Sequence, residues 1–264
     1  MYTFTYERPT SLSDAQRLID AGGQALAGGQ TLLASMKQRL ANPEQLVDLS
    51  RVADLQGVCQ EGSSLVIGAM TRHADVAANA LVRQHIPALA ELAGQIGDKQ
   101  IRAMGTLGGS VANYDPAACY PSAVLALDAT VHTTKRKLAA ADFFQGMYTT
   151  ALEAGELITA ISFPIPAKAA YLKFKQPASR FALVGVFVAK TAGGVRVAVT
   201  GAASSGVFRH AGLEAALSQN FTAASAAAVR IDASDLNTDL HASAEYRAHL
   251  IGVLTQRAVQ HLGA

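Results

Sequence analysis

Two short segments offer chemistry through the main chain rather than through side chains. In AGGQT (Ala27, Gly28, Gly29, Gln30, Thr31) a glycine pair follows a brief apolar run and precedes a helical pattern. In TLGGS (Thr106, Leu107, Gly108, Gly109, Ser110) a second pair is bracketed by hydroxyl residues. Glycines at such a junction let the backbone approach a ligand and aim several N–H groups at one point, a geometry suited to a pyrophosphate. The Thr31 hydroxyl adds a donor, and the helix after it adds the positive end of its dipole. Taken singly, a Gly-Gly pair is most often an ordinary tight turn. Taken together, the two loops can hold two phosphates from opposite sides without a lysine. Neither matches GxGxxG or GxxxxGK[ST], so the Rossmann and P-loop mechanisms are not supported.

The titratable residues form no competing centre. The seven His residues make no spaced ligand set such as HExxH, and Cys59 and Cys119 are too few to supply the thiolates of an iron–sulfur cluster. Any redox metal is therefore expected on a partner.

The elements that would position the loops can be read from periodicity and capping residues. Residues 10–21 read as a short amphipathic helix, and 24–27 as a brief strand running into the first glycine pair. Thr31 is a candidate N-cap for a helix over 32–40, with Leu32, Leu33, Met36 and Leu40 on one face. Strands are expected at 45–49 and 64–70, a helix capped by Thr71 after them, and another helix over 86–96. The stretch IGDKQIRAMGTLGGSVANYDPAACYP, rich in glycine and without sustained periodicity, reads as one long ordered loop, and loops of that length are usually functional. A helical segment at 122–127 and strands at 129–134 and 157–163 follow, before Pro164 and Pro166 break the pattern. Beyond them lie strands at 171–175, 183–190 and 195–201, then helices near 212–217 and 243–262.

The chain has 264 residues, half of them apolar, 16% charged, and a formal net charge of +2. Its length suggests two domains, its scattered basic residues argue against nucleic acid, and no apolar run is long enough to span a membrane. The segment MYTFTYERPT carries no export signal, so a cytoplasmic location is expected.

The ordered motifs AGGQTLLASMKQRL, IRAMGTLGGSVANYDPAACYPSAVLAL, GELITAISFPIP and YLKFKQPASRFALVGVFVA together resemble the medium, FAD-binding subunit of molybdenum hydroxylases, the family of carbon monoxide dehydrogenase and xanthine dehydrogenase. The resemblance covers essentially the whole chain. It implies an α+β fold: a vanillyl-alcohol-oxidase-like (PCMH-type) FAD-binding domain over 1–166, made of two α/β subdomains (about 1–55 and 56–166), then a C-terminal antiparallel sheet with helices over 167–264. The loops Ala27–Thr31 and Thr106–Ser110 then bind the FAD pyrophosphate. Leu157 or Ile158 resembles the apolar residue that packs on the isoalloxazine ring. Lys175 resembles a lysine near its pyrimidine end, where a cation would raise the flavin potential; as a lone lysine it is equally a solvated strand residue. Where the family commonly has an acidic FAD contact, this chain has Cys119, either a neighbour of the cofactor or a small packed thiol.

The implied activity is electron transfer within an oxidoreductase. Electrons from a molybdopterin-type molybdenum centre on a large partner pass through two [2Fe-2S] clusters on a small partner to FAD here, and on to a terminal acceptor. The implied assembly is a dimer of heterotrimers, with no catalytic acid–base pair on this chain. Two other readings stand beside it: a free-standing FAD oxidase or reductase of similar fold, and a flavin-free docking scaffold. Tyr114 and Tyr120 either shield the cofactor or pack, Arg102 either faces phosphate or anchors its loop, and Asp115 before Pro116 reads as a turn initiator.

Overall fold

The computed structural model describes residues 1–263. Three sheets share the chain, with a separate hairpin beside them. The first holds strands β1 (Thr5–Glu7), β2 (Gln24–Leu26) and β3 (Gln45–Asp48), all parallel, with β3 in the middle. Parallel neighbours need a crossover, and the helices Leu12–Asp20 and Leu32–Lys37 provide the two. The first starts as its sequence predicts: Ser11 accepts a hydrogen bond from the Asp14 N–H, and Ala15 and Ile19 face inward.

The second sheet contains β4 (Val58–Glu61), β5 (Ser64–Gly68), β6 (Thr130–Thr133) and β7 (Lys137–Ala139); the hairpin β8 (Phe144–Gly146) and β9 (Thr149–Thr150) precedes its last strand, β10 (Ile158–Pro164). All its pairings are antiparallel, in the order β4-β5-β10-β6-β7. The third sheet runs β11 (Lys168–Lys175), β12 (Ala182–Thr191), β13 (Gly194–Thr200), β14 (Phe208–Arg209), also antiparallel. Strand β12 shows why this third sheet is not a loose appendage. Val184, Val186 and Val188 pack with Leu250, Ile251 and Leu254 of the helix Ala244–His261, whereas Phe187 and Ala189, on the other face, join the core around β5 and β10.

Several sequence expectations need correction. The segment expected as one long loop instead holds two short helices, Lys99–Met104 and Leu107–Asn113, and the helix expected at 122–127 begins two residues earlier, as Tyr120–Ala126. Glycines and prolines hide their periodicity, but side-chain caps start the first two: Asp98 Oδ1 accepts from Ile101 N–H and Thr106 Oγ1 from Gly109 N–H. The helix after the first glycine pair ends at Lys37, leaving Leu40 exposed, and Thr31 caps nothing because its own backbone is already helical (φ −102°, ψ −51°). Thr71 is not a cap either; its hydroxyl exchanges hydrogen bonds with the backbone of Gly57, and Arg72 stands at the N-cap position instead.

Candidate functional site

The two glycine loops meet at the floor of a cleft of about 600 Å³, within the size range of small-molecule and cofactor sites. Gly28 packs against the Met104 carbonyl and Gly105 Cα, where a Cβ has no room. A Cβ on Gly109 would lie 2.8 Å from Thr106 Oγ1 and 3.1 Å from Ala27 Cβ. The glycines thus let one loop lie directly on the other. A side chain at Gly109 points at the facing loop rather than into the open cleft.

The loops do not contribute alike. In the second, the N–H groups of Leu107 and Gly108 donate to the carbonyls of Thr71 (3.0 Å) and Ala69 (2.8 Å), and that of Ser110 to the Thr106 carbonyl (3.1 Å). Gly109 N–H is held by Thr106 Oγ1 at 3.1 Å. In the first, the N–H groups of Gly28, Gly29, Gln30 and Thr31 reach no backbone carbonyl among the described residues. Gly29 is left-handed there (φ 69°), a turn that glycine takes without strain. The expected clamp from two sides is therefore asymmetric: the first loop presents main-chain donors, while the second is a braced wall contributing the Thr106 and Ser110 hydroxyls.

These features fit a diphosphate. Gly28 is buried and Gly29 half-buried, and N–H groups so placed without an acceptor call for one; the two carboxylates lining the cleft are engaged elsewhere. Asp115 accepts from Ala117 N–H (2.8 Å) and Tyr148 OH (3.0 Å). Glu156, whose side chain is 0% exposed, is gripped by Arg136, Thr133 and the Glu153 N–H. That grip holds its carboxyl well below the usual range, at about 2, despite burial.

Leu157 and Ile158, both buried, line the cleft together with Cys119. The cations that border the cleft are Lys173 and Arg180, not Lys175. Lys173 Nζ donates to the carbonyls of Gln95 (2.6 Å) and Arg180 (3.0 Å) and lies 3.5 Å from Cys119 Sγ. Lys175 is exposed and does not border the cleft. The register against β12 slips between Phe174 and Lys175, where Leu183 of β12 is left without a partner.

The other candidates sort by burial. Tyr114 and Tyr120 are core residues, 1% and 0% exposed, and the Tyr114 hydroxyl accepts from Val207 N–H. Arg102 anchors its own loop through the carbonyls of Ile96 and Gly97. Sequence reasoning passed over Lys173, Glu156 and His73, all of which line the cleft. Lys173 lay within reach, since it shares the YLKFK motif; a lone His and a lone Glu carry no spacing signal. Among the described residues, no cluster of His, Cys, Asp or Glu side chains could hold a metal ion, and no helix is long and apolar enough to cross a membrane.

The chain is similar throughout its length to known proteins. The carbon monoxide dehydrogenase medium chain of Afipia carboxidovorans is 38% identical, the match covering 98% of this chain and 96% of that one. The nicotine 6-hydroxylase medium subunit of Paenarthrobacter nicotinovorans is 34% identical, over 98% and 97%. Among solved structures, quinoline 2-oxidoreductase from Pseudomonas putida 86 superposes with a TM-score of 0.90 at 28% identity, covering 99% of this chain and 97% of that one. Residues 2–166, which carry both glycine loops, match the family model described as the FAD binding domain in molybdopterin dehydrogenase. With matches of this extent in sequence and fold, the chain belongs to the family of FAD-binding subunits of molybdopterin dehydrogenases.

Proposed function

We propose that this chain is the FAD-carrying electron-transfer subunit of a molybdenum hydroxylase, and that Ala27–Thr31 with Thr106–Ser110 is its diphosphate site. The observation that carries the site assignment is the turn of N–H groups at 28–31 without a carbonyl acceptor, facing a cleft in a chain whose family binds FAD. FAD, when bound, supplies the capacity to take up electrons and pass them on. The chain's residues position it: the first loop binds the phosphates, the second holds that loop in place, Leu157 and Ile158 give an apolar wall that excludes water, and Lys173 sets a positive charge at the same wall. No nucleophile or general base is required.

In this reading a large partner carries the molybdenum cofactor and binds the substrate, and a small partner carries two [2Fe-2S] clusters that feed electrons to the flavin. The assembly is a cytoplasmic dimer of heterotrimers. Residues 1–55 and 56–166 act as the two halves of the FAD domain, and 167–264 closes the cleft with Lys173. The names of the similar proteins, dehydrogenases and hydroxylases described by medium chains or subunits, support this division of labour.

Co-expression with the genomic neighbours tests it. The purified complex should contain FAD, molybdenum and iron, and limited dissociation should leave the flavin with this chain. A complex without flavin, or with its flavin on another subunit, contradicts the proposal.

A further inference from the structure

His73 opens the helix His73–Ala78 and is 4% exposed, yet it lines the cleft. Its surroundings fix the ring. The His73 main-chain N–H donates to the Gly105 carbonyl at 2.9 Å, and the Tyr120 ring stands 5.3 Å from the imidazole, tilted by 50°. A Cβ on Gly105 would come within 2.5 Å of Nε2, so the imidazole edge lies against that glycine. Gly105 borders the cleft and adjoins Met104, on which Gly28 rests. His73 therefore stands where the two loops touch.

The ring has an unfilled hydrogen bond. Nδ1 is buried and without a partner among the described residues. A neutral imidazole carries its proton on one nitrogen only. An orphaned buried N–H is rarer in proteins than an unfilled acceptor, so the proton belongs on Nε2, the nitrogen on the Gly105 side of the cleft. Burial, with a smaller contribution from the Arg102 charge, pushes the pKa down to about 4, which keeps the ring uncharged at neutral pH.

We propose that His73 is a binding residue of the diphosphate site, its neutral Nε2–H adding a side-chain donor to the main-chain donors of Gly28, Gly29, Gln30 and Thr31. The inference rests on the assignment of the cleft to FAD. The neutral ring adds a hydrogen bond without the desolvation of a further ion.

Titration of the apo full-length chain with FAD, ADP and riboflavin tests it, comparing the unaltered chain with His73→Phe and His73→Gln. The expected result is that H73F weakens FAD and ADP by roughly tenfold or more, as for a lost hydrogen bond to a charged group. Riboflavin binding should stay unchanged, and H73Q, which keeps a donor, should retain most of the affinity. Unchanged FAD and ADP affinity in a folded H73F chain overturns the inference. Should H73F not fold, imidazole nitrogen and proton spectra of the unaltered chain decide: the Nε2–H proton resonance should move downfield on adding ADP, and an unmoved resonance overturns the proposal. An unaltered chain that binds no FAD overturns the functional reading itself, whereas FAD binding indifferent to His73 overturns only this inference.

Discussion

Gly28 lies so close to the Met104 carbonyl that no side chain fits between them. The contact joins the loop that presents the free N–H groups to the segment that leads into the second loop, so the first loop's shape depends on its neighbour.

Gly28→Ala should therefore act through geometry rather than charge. Overpacking against main chain costs about 1–3 kcal/mol, and the displaced loop should lose FAD. Denaturant unfolding and flavin absorbance of the purified chain check both parts. Full flavin content in G28A would show that the loops tolerate separation.

Thr31 and Thr106 look equivalent in sequence and should behave differently. Thr106 Oγ1 caps the helix Leu107–Asn113 through Gly109 N–H, so Thr106→Val should cost about 1 kcal/mol of stability. Thr31 makes no cap, so Thr31→Val should leave stability within about 0.5 kcal/mol while lowering FAD affinity. Equal losses of stability would contradict the asymmetry of the loops.

Lys173→Met and Lys175→Met separate the wall lysine from the exposed one. Loss of the Lys173 ammonium removes a positive charge from the cleft and two hydrogen bonds, to Gln95 and Arg180. Potentiometry should show a lower flavin reduction potential for K173M and an unchanged one for K175M. The reverse order would restore Lys175 as the flavin's cation.

His73 predicts a pH dependence of stability. Its folded-state pKa of about 4 lies below the ordinary 6.5, so protonation favours the unfolded chain. This contribution is intact above about pH 6.5 and falls towards pH 4, by up to about 1.4 kcal/mol per pH unit. Arg102 is the charged group that adds to the depression. Glu156, held near 2, contributes stability that is present above its ordinary pKa of 4.5 and lost as pH falls through 2. Urea midpoints across this range should lose the upper component in His73→Phe and the lower one in Glu156→Gln.

What could be read from residues alone follows from which physics is local. The glycine pairs were legible because main-chain approach demands glycine at known junctions, and β12 because alternation survives in its Val184, Val186 and Val188. The helices between residues 99 and 113 were hidden, since short segments, one of them carrying Gly108 and Gly109, owe their form to caps and packing rather than to periodicity. Lys173 and Lys175 share a motif, and only the fold separates them, the first bordering the cleft and the second exposed. His73 acquires meaning through Gly105 and Tyr120, which lie more than thirty positions away.

Equilibrium binding of FAD to the apo full-length chain, with riboflavin as the comparison, tests the central claim most directly. The account predicts one FAD per chain, binding that is far tighter than riboflavin's because the diphosphate supplies the contact with residues 28–31, and loss of that preference in Gly28→Ala. Equal affinity for FAD and riboflavin, or no uptake of either, would contradict it.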